Sequence, residues 1–429
     1  MNVNLSPHLR RSIVIALALA SPAIASAQKF VFGTQKAQPG TIAVAPDMTY
    51  SAARGFGFEP GAQLTASESA VRGEKPFFFT LDLPEGNYQV TVGYAGPGPL
   101  TVKSEMRRLM LENVRSTRSF NVNVRTPKIA AAPGIAAGVV NLKAPRETVQ
   151  EATAWDQRLT LEFNGERPAI ASLEIVPVKV PTIFLLGDST VCDQPGEPYN
   201  SWGQMLPRFF KPGIAVANHG QSGETYRDSI ARRRLDKILS AMAPGDTVIM
   251  QFGHNDQKQM KDNKGGPFTT YKDEIKVHVD AVRARGGVPV IVSPMERRRF
   301  DDKGKAVQTL TDYAEAARQS AAELKTAFID LHKMSMPFYE ALGPQKSEKA
   351  FAEPLPGKID NTHHNSYGSY QLARMVASEI RRTGLPAAAF IAEDLGQVDP
   401  SRPEPVESFA VQPSPTVSTQ RPLGDEANK

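Results

Sequence analysis

The sequence predicts an all-β sandwich followed by an α/β domain built on a parallel sheet, and a change of rhythm near residue 180 carries that reading. Before it, apolar and polar residues alternate in short runs between Gly/Pro turns, the pattern of half-buried strands. After it, short apolar runs alternate with longer amphipathic stretches, as in strands linked by covering helices. A length of 429 residues also exceeds what one core needs, which favours two domains.

Residues 1–27 read as a leader. Arg10 and Arg11 precede the apolar stretch Ile13 to Ala20, and Ala25-Ser26-Ala27 supplies the small-residue cleavage pattern of a secretory signal peptide. The expectation is therefore an exported, periplasmic or extracellular protein. The apolar stretch is too short to span a bilayer, and no other run reaches the roughly 18 residues of a membrane helix, so no integral membrane segment is expected.

Residues 28–180 form the predicted sandwich. Tyr88, Val90, Val92 and Tyr94 alternate with Gln89, Thr91 and Gly93, and Phe120 to Val124 and Leu159 to Phe163 repeat the pattern. The turn residues Pro84-Glu85-Gly86-Asn87 predict a hairpin between Phe77 to Leu83 and Tyr88 to Tyr94. Residues 181–394 form the predicted α/β domain. Its strands are read at Thr182 to Leu186, Ile214 to Val216, Thr247 to Gln251, Val288 to Val292 and Ala327 to Leu331, with helices such as Tyr271 to Arg285 and Asp312 to Lys325 between them. Residues 395–429 hold six prolines and one aromatic residue, Phe409, and predict a disordered tail.

Composition removes several function classes. One cysteine, Cys192, excludes an intrachain disulfide, a CxxC redox site and a thiolate zinc cluster. A net charge of +5, reduced further if the leader and its two arginines are cut, gives no argument for nucleic acid. The runs Arg232 to Arg234 and Arg297 to Arg299 read as solvated faces, with attraction of a polyanionic polysaccharide as the weaker alternative.

Ligand crevices of parallel sheets lie at the carboxyl ends of the strands, and chemistry-bearing residues recur there. The first strand of the second domain ends in Gly187-Asp188-Ser189-Thr190, placing Ser189 as a candidate nucleophile at the start of a predicted helix. The next two strand ends carry Asn218-His219-Gly220-Gln221-Ser222-Gly223 and Gly253-His254-Asn255-Asp256. The N–H groups of Ser189 and Gly223 and the amide of Asn255 would make a three-donor oxyanion hole. Asp360-Asn361-Thr362-His363 supplies a base, since three-residue spacing in a turn lets Asp360 orient the ring of His363. His364 ranks second as base. Ser222 is a competing nucleophile, but Glu224 occupies the last position of an otherwise G-x-S-x-G pattern.

Together these blocks resemble the SGNH (GDSL-type) hydrolase family: Gly-Asp-Ser at 187–189, Gly223, Gly-x-Asn-Asp at 253–256 and Asp-x-x-His at 360–363, in order over residues 181–382. The resemblance implies a flavodoxin-like three-layer α/β/α fold and a serine esterase with Ser189 as nucleophile, His363 as base and Asp360 orienting it. Gly-Asp-Ser-Thr with Phe-Gly-His-Asn-Asp is most similar to the rhamnogalacturonan acetylesterases, which remove O-acetyl groups from pectin through an acetyl-enzyme. The implied partner is an acetylated pectic polysaccharide. Xylan, another acetylated glycan or a lipid is the alternative substrate, and a non-catalytic carbohydrate-binding protein is the alternative from another class. The sandwich resembles galactose-binding-like modules, with carbohydrate binding or a spacer role as its two readings.

No cofactor or metal is expected. Pooling His254, His363 and His364 as a zinc site lacks an HxxxH pair. His254 and Trp202 are candidate substrate contacts, each weighed against a structural role. Cys192 reads as a buried structural thiol.

Overall fold

The computed structural model describes residues 26–262 and 265–422. The leader read at residues 1–27 thus lies outside the described residues except for Ser26 and Ala27. The chain then forms two sheets facing one another. Seven strands make the first, running Arg118–Val124, Gly86–Tyr94, Ala169–Pro177, Gln28–Phe32 and Ile42–Val44 in spatial order, with the pair Leu64–Ala66 and Val71–Gly73 attached to its third strand. The second runs Phe56–Phe58, Phe77–Asp82, Arg158–Asn164, Leu100–Ser104 and Arg108–Val114.

Aromatic rings close this sandwich. Phe30 and Phe32 point inward from one sheet and Phe79 from the other, with the Phe79 ring 5.4 Å from each in edge-on contact. The period-2 alternation seen in the sequence is the consequence of having one face buried there.

The predicted hairpin at Pro84 to Asn87 does not form. Phe77–Asp82 pairs with Arg158–Asn164 in one sheet, whereas Gly86–Tyr94 pairs with Arg118–Val124 in the other. The turn chemistry is real, but it carries the chain across the sandwich, and sheet partners are chosen by long-range pairing that turn residues do not encode.

Five parallel strands form the sheet of the second domain, in the order Ala215–Asn218, Thr182–Gly187, Thr247–Gln251, Val288–Val292 and Ala327–Ile329. In chain order this is 2-1-3-4-5, the flavodoxin-like arrangement. Ile183 and Leu185 enter one core with Trp202, Phe338 and Leu372, while Phe184 and Leu186 enter the opposite core with Ile238, Ile275 and Tyr313. Helices therefore cover both faces, and the three-layer α/β/α architecture follows. The order in which strands are added reverses beside Thr182–Gly187, so the crevice falls at its carboxyl end.

The helices Lys272–Ala284 and Thr311–Glu323 occupy stretches where amphipathic spacing predicts them, and a third, Ser366–Thr383, follows the Asp360 to His363 segment. The segment Leu331–Lys346 also folds helically; Pro337 and Pro344 obscure it in sequence, and Gly343 breaks it at φ 73°. No described helix is long and apolar enough to cross a membrane.

Residues 395–422 are not a loose tail. Phe409 packs on Tyr367 and Tyr370, and Val411 is buried in the hydrolase core. Ser414 donates to Glu162 (2.7 Å) and accepts from Lys103 Nζ (2.8 Å) on the sandwich. Thr416 and Ser418 then bracket Glu197 through backbone hydrogen bonds. Low apolar content correctly says that this segment cannot fold on its own. Its order is borrowed from partners on both domains.

Candidate active site

Strand Thr182–Gly187 is buried throughout and ends against its two neighbours. At Gly187 a Cβ would lie 2.5 Å from Val191 Cγ2 and 2.6 Å from Gln251 O, so only glycine lets the following turn fold back on the sheet. Asp188 closes that turn: its carbonyl accepts from Val191 and Cys192 N–H, and its side chain accepts from Thr190 N–H (2.9 Å) and Oγ1 (2.7 Å). The predicted helix at Ser189 is therefore a single turn. Gln194 Nε2 holds the Ser189 carbonyl at 2.6 Å from a later loop.

The base arrives on a second local device. Asp360 Oδ1 accepts from the N–H groups of Thr362 (2.8 Å) and His363 (2.9 Å), an Asx-type turn that sets the spacing of the pair. Asp360 Oδ2 lies 3.0 Å from His363 Nδ1, and His363 Nε2 lies 2.9 Å from Ser189 Oγ. The segment is pinned to its neighbours by Asp360 N–H to Ala352 O and Ala352 N–H to His363 O. Asn365 then caps helix Ser366–Thr383 through Gly368 N–H. Serine, imidazole and carboxylate thus stand in one hydrogen-bonded line, with Nδ1–H donating to the carboxylate and Nε2 free to accept from the serine hydroxyl.

The loops carrying the predicted donors Gly223 and Asn255 meet the serine loop through Gln221 N–H to Gly187 O (2.9 Å) and His254 Nδ1 to Asp188 Oδ2 (3.2 Å). Gly223 takes φ 76°, a left-handed conformation that glycine adopts without strain. Among the described residues no hydrogen-bond acceptor takes the N–H of Ser189 or Gly223. Asn255 Nδ2 donates to Glu224 O at 3.1 Å, which orients the amide and uses one of its two hydrogens. Asp256 braces this loop, accepting from Gly253 N–H (2.9 Å) and Tyr226 N–H (3.3 Å).

Some of the other sequence expectations change, and those for Ser222 and Cys192 stand. Trp202 is 1% exposed, packs in the core and donates through Nε1 to Gln251 Oε1 at 2.8 Å, so it cannot stack on a sugar. His254 is buried with Nδ1 3.2 Å from Asp188 Oδ2 and so reaches the serine loop through that aspartate. Ser222 meets Cys192 Sγ and Gln194 Nε2 and has no histidine beside it. Burial pushes the Cys192 thiol up, which suits an inert structural group. Arg234 is buried between Glu147 (2.5 Å) and Glu224 (2.8 Å), and Arg297 is buried beside Thr309 and Gln257, so the two arginine runs are not bare cationic patches.

His364 turns away from the serine, its Nε2 2.9 Å from Tyr339 OH and its ring against Phe351. Burial, with His363 and His254 nearby, pushes its pKa down to about 3. It stays neutral when folded but takes up a proton below about pH 6.5 when unfolded. Its contribution therefore destabilises the native state as pH falls from about 6.5 toward 3. The stability gap between wild type and His364→Gln should narrow over that window by about 1.4 kcal/mol per pH unit, read from urea unfolding at each pH. A gap independent of pH would show that His364 is already charged in the fold.

One functional contact has no sequence signal. Arg421, from the C-terminal strap, donates through Nε to Asp360 Oδ2 at 2.7 Å and through Nη2 to Oδ1 at 3.3 Å. Burial opposes ionisation of Asp360, but His363 and Arg421 outweigh it and hold the carboxyl well below the usual range. Arg421 shares the charge that would otherwise act on the imidazolium alone. In Arg421→Gln the acid limb of the pH–activity profile should move to higher pH by roughly one unit, while Arg421→Lys keeps most of the wild-type profile. An unmoved limb in Arg421→Gln would mean that the contact is only structural.

A serine at a strand end, hydrogen-bonded to a histidine–aspartate pair on a doubly wound sheet, defines a serine ester hydrolase. The chain belongs to the GDSL-like lipase/acylhydrolase family, whose model matches residues 185–369. It is 36% identical over 214 residues to the rhamnogalacturonan acetylesterase RhgT of Bacillus subtilis (strain 168), covering 48% of this chain and 91% of that protein. It is 32% identical to a second protein of that bacterium, named "Probable rhamnogalacturonan acetylesterase YesY", over 49% of this chain and 98% of the other. The uncharacterized esterase YxiM of the same strain is 26% identical over 380 residues, or 83% of this chain and 91% of that protein, a span too long for the hydrolase domain alone.

Proposed function

We propose that this chain is an exported carbohydrate esterase that removes O-acetyl groups from a pectic rhamnogalacturonan through an acetyl-enzyme on Ser189. The observation that carries the chemistry is the unbroken line from Ser189 Oγ to His363 Nε2, and from His363 Nδ1 to Asp360 Oδ2. The relatives named for rhamnogalacturonan support the substrate. Export rests on the leader read at residues 1–27.

Ser189 Oγ attacks the acetyl carbonyl as His363 Nε2 takes its proton. The carbonyl oxygen becomes an oxyanion that accepts from the N–H groups of Ser189 and Gly223 and from Asn255 Nδ2. Asp360 stabilises the imidazolium without taking its proton. Collapse breaks the bond to the sugar oxygen, which leaves with the proton from His363. Water then attacks the acetyl group by the same route, releasing acetate and restoring Ser189.

Acetate release from acetylated rhamnogalacturonan, acetylated xylan and tributyrin tests the reading. Rhamnogalacturonan should give the highest kcat/KM. Strong release from xylan or tributyrin beside negligible release from rhamnogalacturonan would sink the substrate assignment and leave the esterase chemistry standing.

A further inference from the structure

Away from the serine, the two domains enclose a cavity of about 230 Å³. Its sandwich side carries Glu85, Asn87, Asn123 and Arg125, and its hydrolase side carries His219 and Lys237. The balance of charge is uneven. Lys237 Nζ is satisfied by Glu85 Oε1 (2.6 Å) and Lys128 O (2.6 Å), and Glu85 Oε2 is used by Thr126. Arg125 has no such partner. It is 6% exposed, its Nε and Nη1 are buried without a hydrogen bond, and its guanidinium lies over the Trp155 ring at 4.4 Å. His219, 1% exposed, likewise leaves Nδ1 unpartnered.

Asp193 and Glu105 favour the Arg125 charge from nearby, but neither hydrogen-bonds to it. Asp193 is committed to Arg108 at 2.6 Å, and burial raises the Glu105 carboxyl well above its ordinary value. Arg108, on the sandwich, and Arg234, on the hydrolase, add like charge. A buried guanidinium without a hydrogen-bonded anion is costly, and stacking on an aromatic face offsets only part of that cost. The cavity has room for a counter-charge, and Arg125 lines it from the sandwich while His219 and Lys237 line it from the hydrolase.

We infer that this interdomain cavity is a binding site for a small oxyanion, a phosphate, a sulfate or a carboxylate such as acetate, held by Arg125 and His219 with Lys237 at its edge. The bound anion joins the sandwich to the hydrolase, because Arg125 belongs to one domain and His219 and Lys237 to the other. The site is separate from the serine chemistry and stands whether or not the substrate reading holds.

The test is calorimetric titration of the full chain at low ionic strength with sodium phosphate, sodium sulfate and sodium acetate in turn. At least one should bind saturably with one anion per chain. At tenfold excess over its Kd it should raise Tm by about 2 °C. Arg125→Met keeps an apolar stem over Trp155 and removes the charge. It should lose the anion-dependent rise and be no less stable than wild type in anion-poor buffer. A response confined to acetate identifies a planar carboxylate as occupant, and one confined to phosphate or sulfate a tetrahedral anion. No saturable heat from any of the three overturns the inference, as does an equal Tm response in wild type and Arg125→Met. Should Arg125→Met fail to fold, titration of the wild-type chain still decides.

Discussion

Replacing Ser189 by alanine should lower kcat for p-nitrophenyl acetate by roughly four to six orders of magnitude while leaving the fold intact. The side chain contributes one hydrogen bond, to His363 Nε2, and no packing that a methyl group cannot replace. The turn around it is built by Asp188, Thr190 and Gln194, which the substitution leaves in place. Residual turnover should remain above the uncatalysed rate, because the Gly223 and Asn255 donors are untouched. Covalent labelling by a fluorophosphonate probe should vanish. Continued labelling would place the nucleophile elsewhere, with Ser222 next in line, although its hydroxyl meets only a thiol and an amide. Unchanged circular dichroism and Tm separate lost chemistry from lost structure.

The site was legible in sequence wherever short-range rules build it. Gly187-Asp188-Ser189 makes its own turn, and Asp360 to His363 makes another, so four adjacent residues suffice to fix a carboxylate against a ring. The crevice could be placed before any side chain because strand–helix alternation entails a parallel sheet. Long-range pairing was not legible. The turn at Pro84 to Asn87 says that the chain reverses, not which sheet receives it. Trp202 shows the same gap: a tryptophan beside a helix suits a sugar face or a core, and only the packing of Val191, Met205 and Leu206 around it decides for the core.

Arg421 is the sharpest case. It reaches Asp360 across 61 residues, from a segment whose prolines and low apolar content argue for disorder. Composition describes what a segment can bury by itself, and the strap buries little. Its path is fixed by polar groups that other elements present, namely Lys103, Glu162 and Glu197. A residue that acts on the reaction through another side chain, from a segment ordered by its surroundings, leaves no local pattern to read.

Asp360→Asn should cost about four orders of magnitude in kcat, a larger loss than removal of any other orienting group in the site. The carboxylate makes contacts that an amide cannot reproduce in either orientation. With its oxygen kept in the Oδ1 position, the amide still accepts from Thr362 and His363 N–H and preserves the turn. Its nitrogen then replaces Oδ2 and points hydrogens at Arg421 Nε and at His363 Nδ1. Nδ1 must give up its proton to accept, which moves the proton to Nε2, where it faces Ser189 Oγ and removes the base. With the amide reversed, the oxygen serves His363 and Arg421, but the nitrogen confronts two backbone N–H groups and the turn carrying His363 is destabilised. The first orientation costs rate and the Arg421 contact, and the second costs rate and the turn. Tm compared in an Arg421→Gln background distinguishes them: an unchanged Tm on adding Asp360→Asn, with the full rate loss, marks the wrong tautomer, and a further lowered Tm marks the broken turn. Near-wild-type turnover in Asp360→Asn would show that His363 does not depend on Asp360 for its orientation.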